Sequence, residues 1–323
     1  MVYFLFILAV IVTVFAAIKI STYADAITRL SSVGALFVGT FLLAGATSLP
    51  EVTTSVTAVF LDNPDMAVGN VLGSNLFNLS ILAVFLLIYR HRAILNSVHK
   101  EQRHTAILGV LMTTFVVVAL FYTIEIPVVN IGVESLVLLF LYGLSIWLLR
   151  GADEQSSDAE DEKATEEKYT LKHAITGFII AAIFILISGT VLTFSGDQIA
   201  ILTGLGSSFV GSFLIATSTS LPEVVTVYVA LKLGNHNLAA ASIFGSNLFN
   251  LLILVLCDFL YPGSILLAAS PTNIYTGGLL LLSSLVVTLA IFRAQTKRRI
   301  TVAFPIMMLL FYASSMVLLY LLR

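Results

Sequence analysis

The sequence predicts an all-α integral membrane protein of ten transmembrane helices, arranged as two inverted five-helix repeats. Three observations predict it. Of the 323 residues, 59% are hydrophobic and 11% charged, with a mean hydropathy of +1.03, too apolar for a water-soluble chain. Shifting the sequence by 172 positions superimposes 37–82 on 209–254 with 26 of 46 residues identical, so the chain is a duplicated unit. Fifteen of the sixteen Lys and Arg residues then fall on one side of the membrane, the asymmetry that sets orientation.

Residues 2–20 form an unbroken apolar run about one bilayer long. A secretory signal is the competing reading, but no Lys or Arg precedes the run, so it is read as the first membrane helix. Further apolar segments follow at 32–61, 66–89, 105–123, 127–149, 172–194, 200–231, 238–260, 272–292 and 301–322. The first repeat therefore covers 1–149, with its duplicated motif at 37–82, and the second covers 172–323, with its motif at 209–254. Between them, 150–171 is an acidic linker that holds eight of the 18 acidic residues. It reads as a solvated cytoplasmic segment, because the ordered Asp/Asn/Gly spacing of a calcium-binding loop is missing.

An even number of spans puts both termini on one side. With the N-terminus outside, the inner side holds every Lys and Arg from Lys19 to Arg299, and only Arg323 lies outside. The expected location is the cell membrane, multi-pass, with both termini extracellular. Five spans per half invert the second half, so the two motif-bearing spans run antiparallel about a pseudo-two-fold axis in the membrane plane. The cluster of Arg90, His91, Arg92, Lys100, Arg103 and His104 reads as a topology determinant that meets anionic lipid. Its histidines lack metal-ligand spacing. The single cysteine, Cys257, excludes an intramolecular disulfide and reads as a packing residue. No nucleic-acid signature is present, no cofactor is expected, and the oligomeric state is left open.

Two octets organise the rest: Ala44-Gly45-Ala46-Thr47-Ser48-Leu49-Pro50-Glu51, and Ala216-Thr217-Ser218-Thr219-Ser220-Leu221-Pro222-Glu223. Each sits within an apolar run. A carboxylate near a bilayer centre costs at least about 2 to 3 kcal/mol, and such residues face a cavity, an ion path or a partner. In a helix each proline would free the carbonyl four residues back, of Ala46 and Ser218. Helix-breaking signals at matching places in two halves are the best sequence pointer to a transporter's binding site. Helical spacing puts Thr47 and Ser48 on the face of Glu51, and Thr219 and Ser220 on the face of Glu223. In the second shared block, Gly-Ser-Asn-Leu-Phe-Asn, Ser74 and Asn78 are four apart, as are Ser246 and Asn250. Four such faces converge into a cage of oxygens with two carboxylates. Those two cannot both stay ionised in low dielectric unless a cation lies between them or one takes a proton. Asp25 and Asp197 are expected to cap the start of a span. Glycines 34, 39, 73, 206, 211 and 245 are expected to permit close helix contact. Glu134 and Asp258 lack repeat counterparts and are left off the site.

At these residues the chain resembles the cation/calcium exchanger superfamily, in its prokaryotic sodium/calcium exchanger-like branch. The match lies in two copies of Thr-Ser-Leu-Pro-Glu, each followed by Gly-Ser-Asn-x-x-Asn. The resemblance implies secondary active exchange of Na+ for Ca2+ at one central site, opened alternately to either side. By motif position it implies Thr47, Ser48, Glu51, Ser74, Asn78, Thr219, Ser220, Glu223, Ser246 and Asn250 as ion ligands, assisted by the backbone carbonyls of Ala44 and Ala216. It also implies that the first span of each half, 2–20 and 172–194, is the gate that slides across the core. Exchangers of this type commonly carry Asp at one of the two Asn positions, whereas this chain has Asn78 and Asn250. That departure bears on stoichiometry and on whether protons replace sodium, so Ca2+/H+ or another divalent-cation exchange remains the alternative. An enzyme is not expected. An intramembrane hydrolase would need two carboxylates in unlike environments, and the duplicated surroundings argue against that. A passive channel would not move a cation uphill.

Overall fold

The computed structural model describes residues 1–30, 44–89, 94–97, 101–122, 125–126, 131–156, 169–295 and 302–322. Within them the protein is helical apart from a two-residue antiparallel ladder, Glu125–Ile126 against Ile131–Gly132. The first half contains α1 (Val2–Leu30), α2 (Ala44–Thr47), α3 (Leu49–Phe60), α4 (Pro64–Ile88), α5 (Glu101–Ala119) and α6 (Val133–Ser156). The second half opens on α7 (Leu171–Thr203). A short α8 (Ser207–Phe209) then passes through a π turn, Val210–Ile215, into α9 (Ala216–Thr219). It continues with α10 (Leu221–Lys232), α11 (His236–Leu260), α12 (Ile265–Ala268), α13 (Thr272–Gln295) and α14 (Ala303–Leu321). Among the described residues seven helices are long and apolar enough to cross a bilayer, and the bent pair Ser207–Thr219 plus Leu221–Lys232 makes an eighth. The chain is therefore a multi-pass membrane protein whose described spans are all helices.

Several expected boundaries move, each for a local reason. The first helix runs ten residues past the expected end at 20, because Ser21 and Thr22 return their hydroxyls to the carbonyls of Ala17 and Ile18 and nothing breaks the turn. The sixth span also extends, to Thr203, and stops at Gly204, whose φ of 66° only glycine adopts without strain. The expectation that Asp25 and Asp197 cap the start of a span therefore fails: both lie inside long helices, near their C-terminal ends. Asp197 instead accepts from Asn63 Nδ2 at 2.8 Å, beside the start of α4. The span expected at 127–149 begins at Val133, after the ladder, and its apolar part, Val133–Leu148, is shorter than the others. The span expected at 32–61 begins outside the described residues, as do Gly34, Gly39 and most of the acidic linker.

Buried Asp258 accounts for the late start of α6. One of its carboxylate oxygens accepts from Gly132 N at 3.0 Å and Ser135 Oγ at 2.7 Å, and the other from Ile265 N at 3.1 Å. This clasp ties the ladder and α6 to the C-terminal end of α11 and to α12.

Two helices form the centre. α4 and α11 are the most buried spans, with 78% and 61% of their apolar windows inside the protein, against 33%, 28% and 22% for α1, α7 and α14. Exposed Phe4, Phe15, Phe184 and Ile187 on α1 and α7 give those helices a lipid-facing surface. α1 and α7 pack against each other antiparallel. Thr13 Oγ1 donates to Ser188 Oγ at 2.7 Å, while further along Tyr23 lies against Gly177, where an added Cβ would meet the ring at 2.4 Å. α4 lies against the π turn at backbone distance. A Cβ on Gly73 would fall 2.2 Å from Ser212 O, and one on Gly211 would fall 2.6 Å from Met66 O. The expected close contacts hold at these two glycines and fail at Gly245, which meets nothing within 4 Å. Gly206 serves a different purpose, restarting the chain after α7 with a φ of 78°.

Candidate functional site

Each octet folds as a broken helix. α2 stops at Thr47, Ser48 takes φ −92° and ψ 8°, and α3 begins at Leu49. The second copy repeats this: α9 stops at Thr219, Ser220 takes φ −90° and ψ 6°, and α10 begins at Leu221. The cause is proline. Pro50 and Pro222 stand in the first turn of the new helix, where a missing N–H leaves no bond unmade. The span is thus not one continuous helix at either proline. It breaks, and the second break bends its span by 42°.

The break also places the carboxylates. Glu51 and Glu223 lie in the first turn of α3 and α10, where the positive end of the helix dipole favours an anion. Both are buried, at 0% and 1% exposure. Ser220 Oγ donates to Glu51 Oε1 at 3.1 Å, a bond between the two halves. Among the described residues, Glu51 Oε2 and both oxygens of Glu223 are buried with no protein partner, and so are Ser48 Oγ, Ser74 Oγ, Asn78 Oδ1 and both amide atoms of Asn250. Native interiors seldom leave buried polar atoms unpaired, so such a concentration marks a place that polar or charged matter enters.

Thr47, Thr219 and Ser246 are buried as well. The Ala216 carbonyl is already engaged, by Ser220 N at 3.1 Å and Thr219 Oγ1 at 3.2 Å. Ala44 begins α2, and its side chain lies outside the described residues. Among the described residues no three of His, Cys, Asp and Glu cluster as a metal site. The buried atoms left unpaired in the two octets and the Gly-Ser-Asn blocks instead belong to hydroxyl, amide and carboxylate groups, whose oxygens suit a hard cation.

Residues beyond the expected set bond across the neighbouring helices. Asn70 donates to Thr54 Oγ1 and Ser55 Oγ, both at 2.8 Å, and to Glu51 O at 3.4 Å, fixing the turn that carries Glu51. Its repeat counterpart is Ser242, so the duplication does not single it out. Asn75 and Asn247 do repeat, and they bond across the α4–α11 crossing: Asn75 Nδ2 to Asn247 O at 3.0 Å, and Asn247 Nδ2 to Asn75 O at 3.2 Å. Residues 172 apart that exchange the same bond stand as a two-fold axis would place them. Asn78 Nδ2 donates to Asn247 Oδ1 at 3.0 Å. Ser212, on the π turn, is a further buried hydroxyl without a partner.

A sequence model of the family described as sodium/calcium exchanger protein matches residues 1–150 and 173–321, nearly the whole chain. The chain belongs to that family. It is 26% identical over 271 residues to the inner membrane protein YrbG of Escherichia coli (strain K12), covering 81% of this chain and 80% of that one. It is also 26% identical over 261 residues to the putative antiporter CaxA of Alkalimonas amylolytica, covering 78% of each. Among solved structures, the sodium-calcium exchanger NCX_Mj soaked with Na+ and Sr2+ matches with a TM-score of 0.61 and 22% identity, over 98% of this chain and 99% of that one. The H+/Ca2+ exchanger CAX matches with a TM-score of 0.71 and 14% identity, over 98% and 86%. This member of the family therefore shares the fold of both exchangers.

Proposed function

We propose that this protein is a secondary active antiporter that exchanges Na+ for Ca2+ by alternating access at a central site built on Glu51 and Glu223. One observation carries the reading. Two buried carboxylates, their octets joined by the Ser220–Glu51 hydrogen bond, accompany buried side-chain oxygens that have no partner among the described residues. Desolvated like charges repel unless a cation or a proton joins them, so such a cage is stable when occupied. The ligands in this reading are Glu51 and Glu223 with Thr47, Ser48, Ser74, Asn78, Thr219, Ser220, Ser246 and Asn250, and backbone oxygen at Ala44 and Ala216. Ten spans in two inverted five-helix repeats supply the architecture, and the antiparallel pairing of α1 with α7 supports it. The Lys and Arg bias puts both termini outside and the acidic linker in the cytoplasm.

Asn78 and Asn250 favour a second reading. With amides at both positions the cage holds two carboxylates, a number that a divalent cation or two protons neutralise equally well. Exchange of Ca2+ for H+ is that reading. Uptake of radioactive calcium into sodium-loaded proteoliposomes separates the two. Accumulation driven only by the sodium gradient supports sodium coupling, and accumulation driven by a pH gradient alone moves the assignment to protons. No calcium movement under either gradient contradicts both.

A further inference from the structure

The orientation of the Asn78 amide is determined by a chain of bonds with one solution. Asn247 meets the backbone oxygen of Asn75 at 3.2 Å, and a carbonyl oxygen only accepts, so the atom facing it is Nδ2. Asn247 Oδ1 then faces the other way, toward Asn78 at 3.0 Å, and Asn78 must offer Nδ2 to it. Asn78 Oδ1 is left buried with no protein partner. The opposite orientation would set oxygen against oxygen at one end and present an N–H2 group where a cation needs a ligand. The related contact in the other half is not made. Asn75 Nδ2 bonds Asn247 O, but Asn75 Oδ1 and both amide atoms of Asn250 have no protein partner.

We propose that Asn247 is a positioning residue for cation binding, holding the Asn78 amide with its oxygen turned into the cage of Glu51 and Glu223. The inference rests on the reading of that cage as a cation site. Asn247 itself touches no ion. It makes a neutral ligand available before the cation arrives, and partners of this kind matter to metal sites nearly as much as the ligands do. The two halves then differ: the amide at 78 is fixed, and the amide at 250 is not.

The test is equilibrium binding of radioactive calcium to the purified full-length protein, with thermal melting to confirm folding. Asn247→Ala is expected to weaken binding about tenfold or more, as loss of an outer partner of a metal ligand does. Combining it with Asn78→Ala is expected to add less than about twofold to the loss from Asn78→Ala alone, because both changes remove one interaction. Asn75→Ala keeps the backbone oxygen that orients Asn247, and its affinity is expected to stay within about threefold of wild type. Losses that multiply in the double variant overturn the proposal. So does an Asn75→Ala loss as large as that of Asn247→Ala, which would make the pair a mere staple between helices. If Asn247→Ala fails to fold, Asn78→Asp decides. One of its two oxygens would face Asn247 Oδ1 in repulsion, so weaker calcium binding is expected despite the added charge, and tighter binding overturns the role. Absence of calcium binding by the wild type would reject the functional reading itself, whereas wild-type binding with unaffected variants rejects the positioning role alone.

Discussion

Thr13 and Ser188 share a hydroxyl bond of 2.7 Å, and it joins the first helix of one half to the first helix of the other. The pair they hold, α1 and α7, reaches the core chiefly through α3. There Thr193 Oγ1 donates to Thr54 O at 3.2 Å, and Thr57 and Thr190 bring their hydroxyls to 3.5 Å. A gate that slides as one body keeps the first bond and changes the other two. Cysteines at Thr13 and Ser188, once cross-linked, are therefore expected to leave calcium exchange within about twofold of the reduced protein, while cysteines at Thr57 and Thr190 arrest it until reductant is added. Exchange measured before and after oxidation checks this. Arrest by the Thr13–Ser188 bridge would show that the two helices move against each other.

Gly73 and Gly245 are repeat counterparts in unlike surroundings. A methyl on Gly73 would collide with the Ser212 backbone at 2.2 Å, and backbone cannot step aside as a side chain can. Gly73→Ala is expected to destabilise by about 1 to 3 kcal/mol or more, the usual range for overpacking. Gly245→Ala meets open space, and it is expected to be neutral or to gain up to about 1 kcal/mol from helix propensity. Thermal melting of the two variants in one detergent gives the comparison. Equal effects would contradict the close approach of α4 to the π turn.

Asp258 holds two backbone N–H groups and one hydroxyl, none of them from either octet. Asp258→Ala leaves these donors buried and unmet, at about 1 to 3 kcal/mol for each group. A clearly lower melting temperature is expected, with unchanged half-saturating calcium in the fraction that folds. A selective loss of calcium affinity would place Asp258 on the ion path.

Asn250→Asp adds a third carboxylate where no neighbour fixes the amide. Calcium is expected to bind more tightly, and the sodium dependence of exchange is expected to steepen, since a third charge accommodates a further monovalent ion. Initial rates over a sodium series measure the Hill coefficient. An unchanged coefficient would show that position 250 does not set the coupling.

How much could be read in advance depends on what a residue's neighbours are. Pro50 and Glu51, repeated as Pro222 and Glu223, are legible because each is costly in an apolar run, and the structure buries both glutamates together. Asp258 and Glu134 lack counterparts, and Asp258 instead clasps the ladder and α6 to α12. The helix ends were harder to place, because Asp197 has the composition of a cap while Gly204 supplies the actual stop. Asn70 and Asn247 are not legible for another reason: their importance lies in which atom each one meets across a helix crossing, and spacing along one helix contains no such information. Gly245 shows the same limit in reverse, since an identical motif meets different neighbours in each half.

The most direct measurement is equilibrium calcium binding to purified wild type, Glu51→Gln and Glu223→Gln, with and without sodium. Wild type is expected to bind calcium at one class of site that sodium displaces. Each single glutamine, equal in shape and lacking charge, is expected to weaken that binding more than about a hundredfold, as removal of one partner from a buried ionic site does at about 3 kcal/mol or more. Near-normal calcium binding in either variant would contradict a site shared between Glu51 and Glu223.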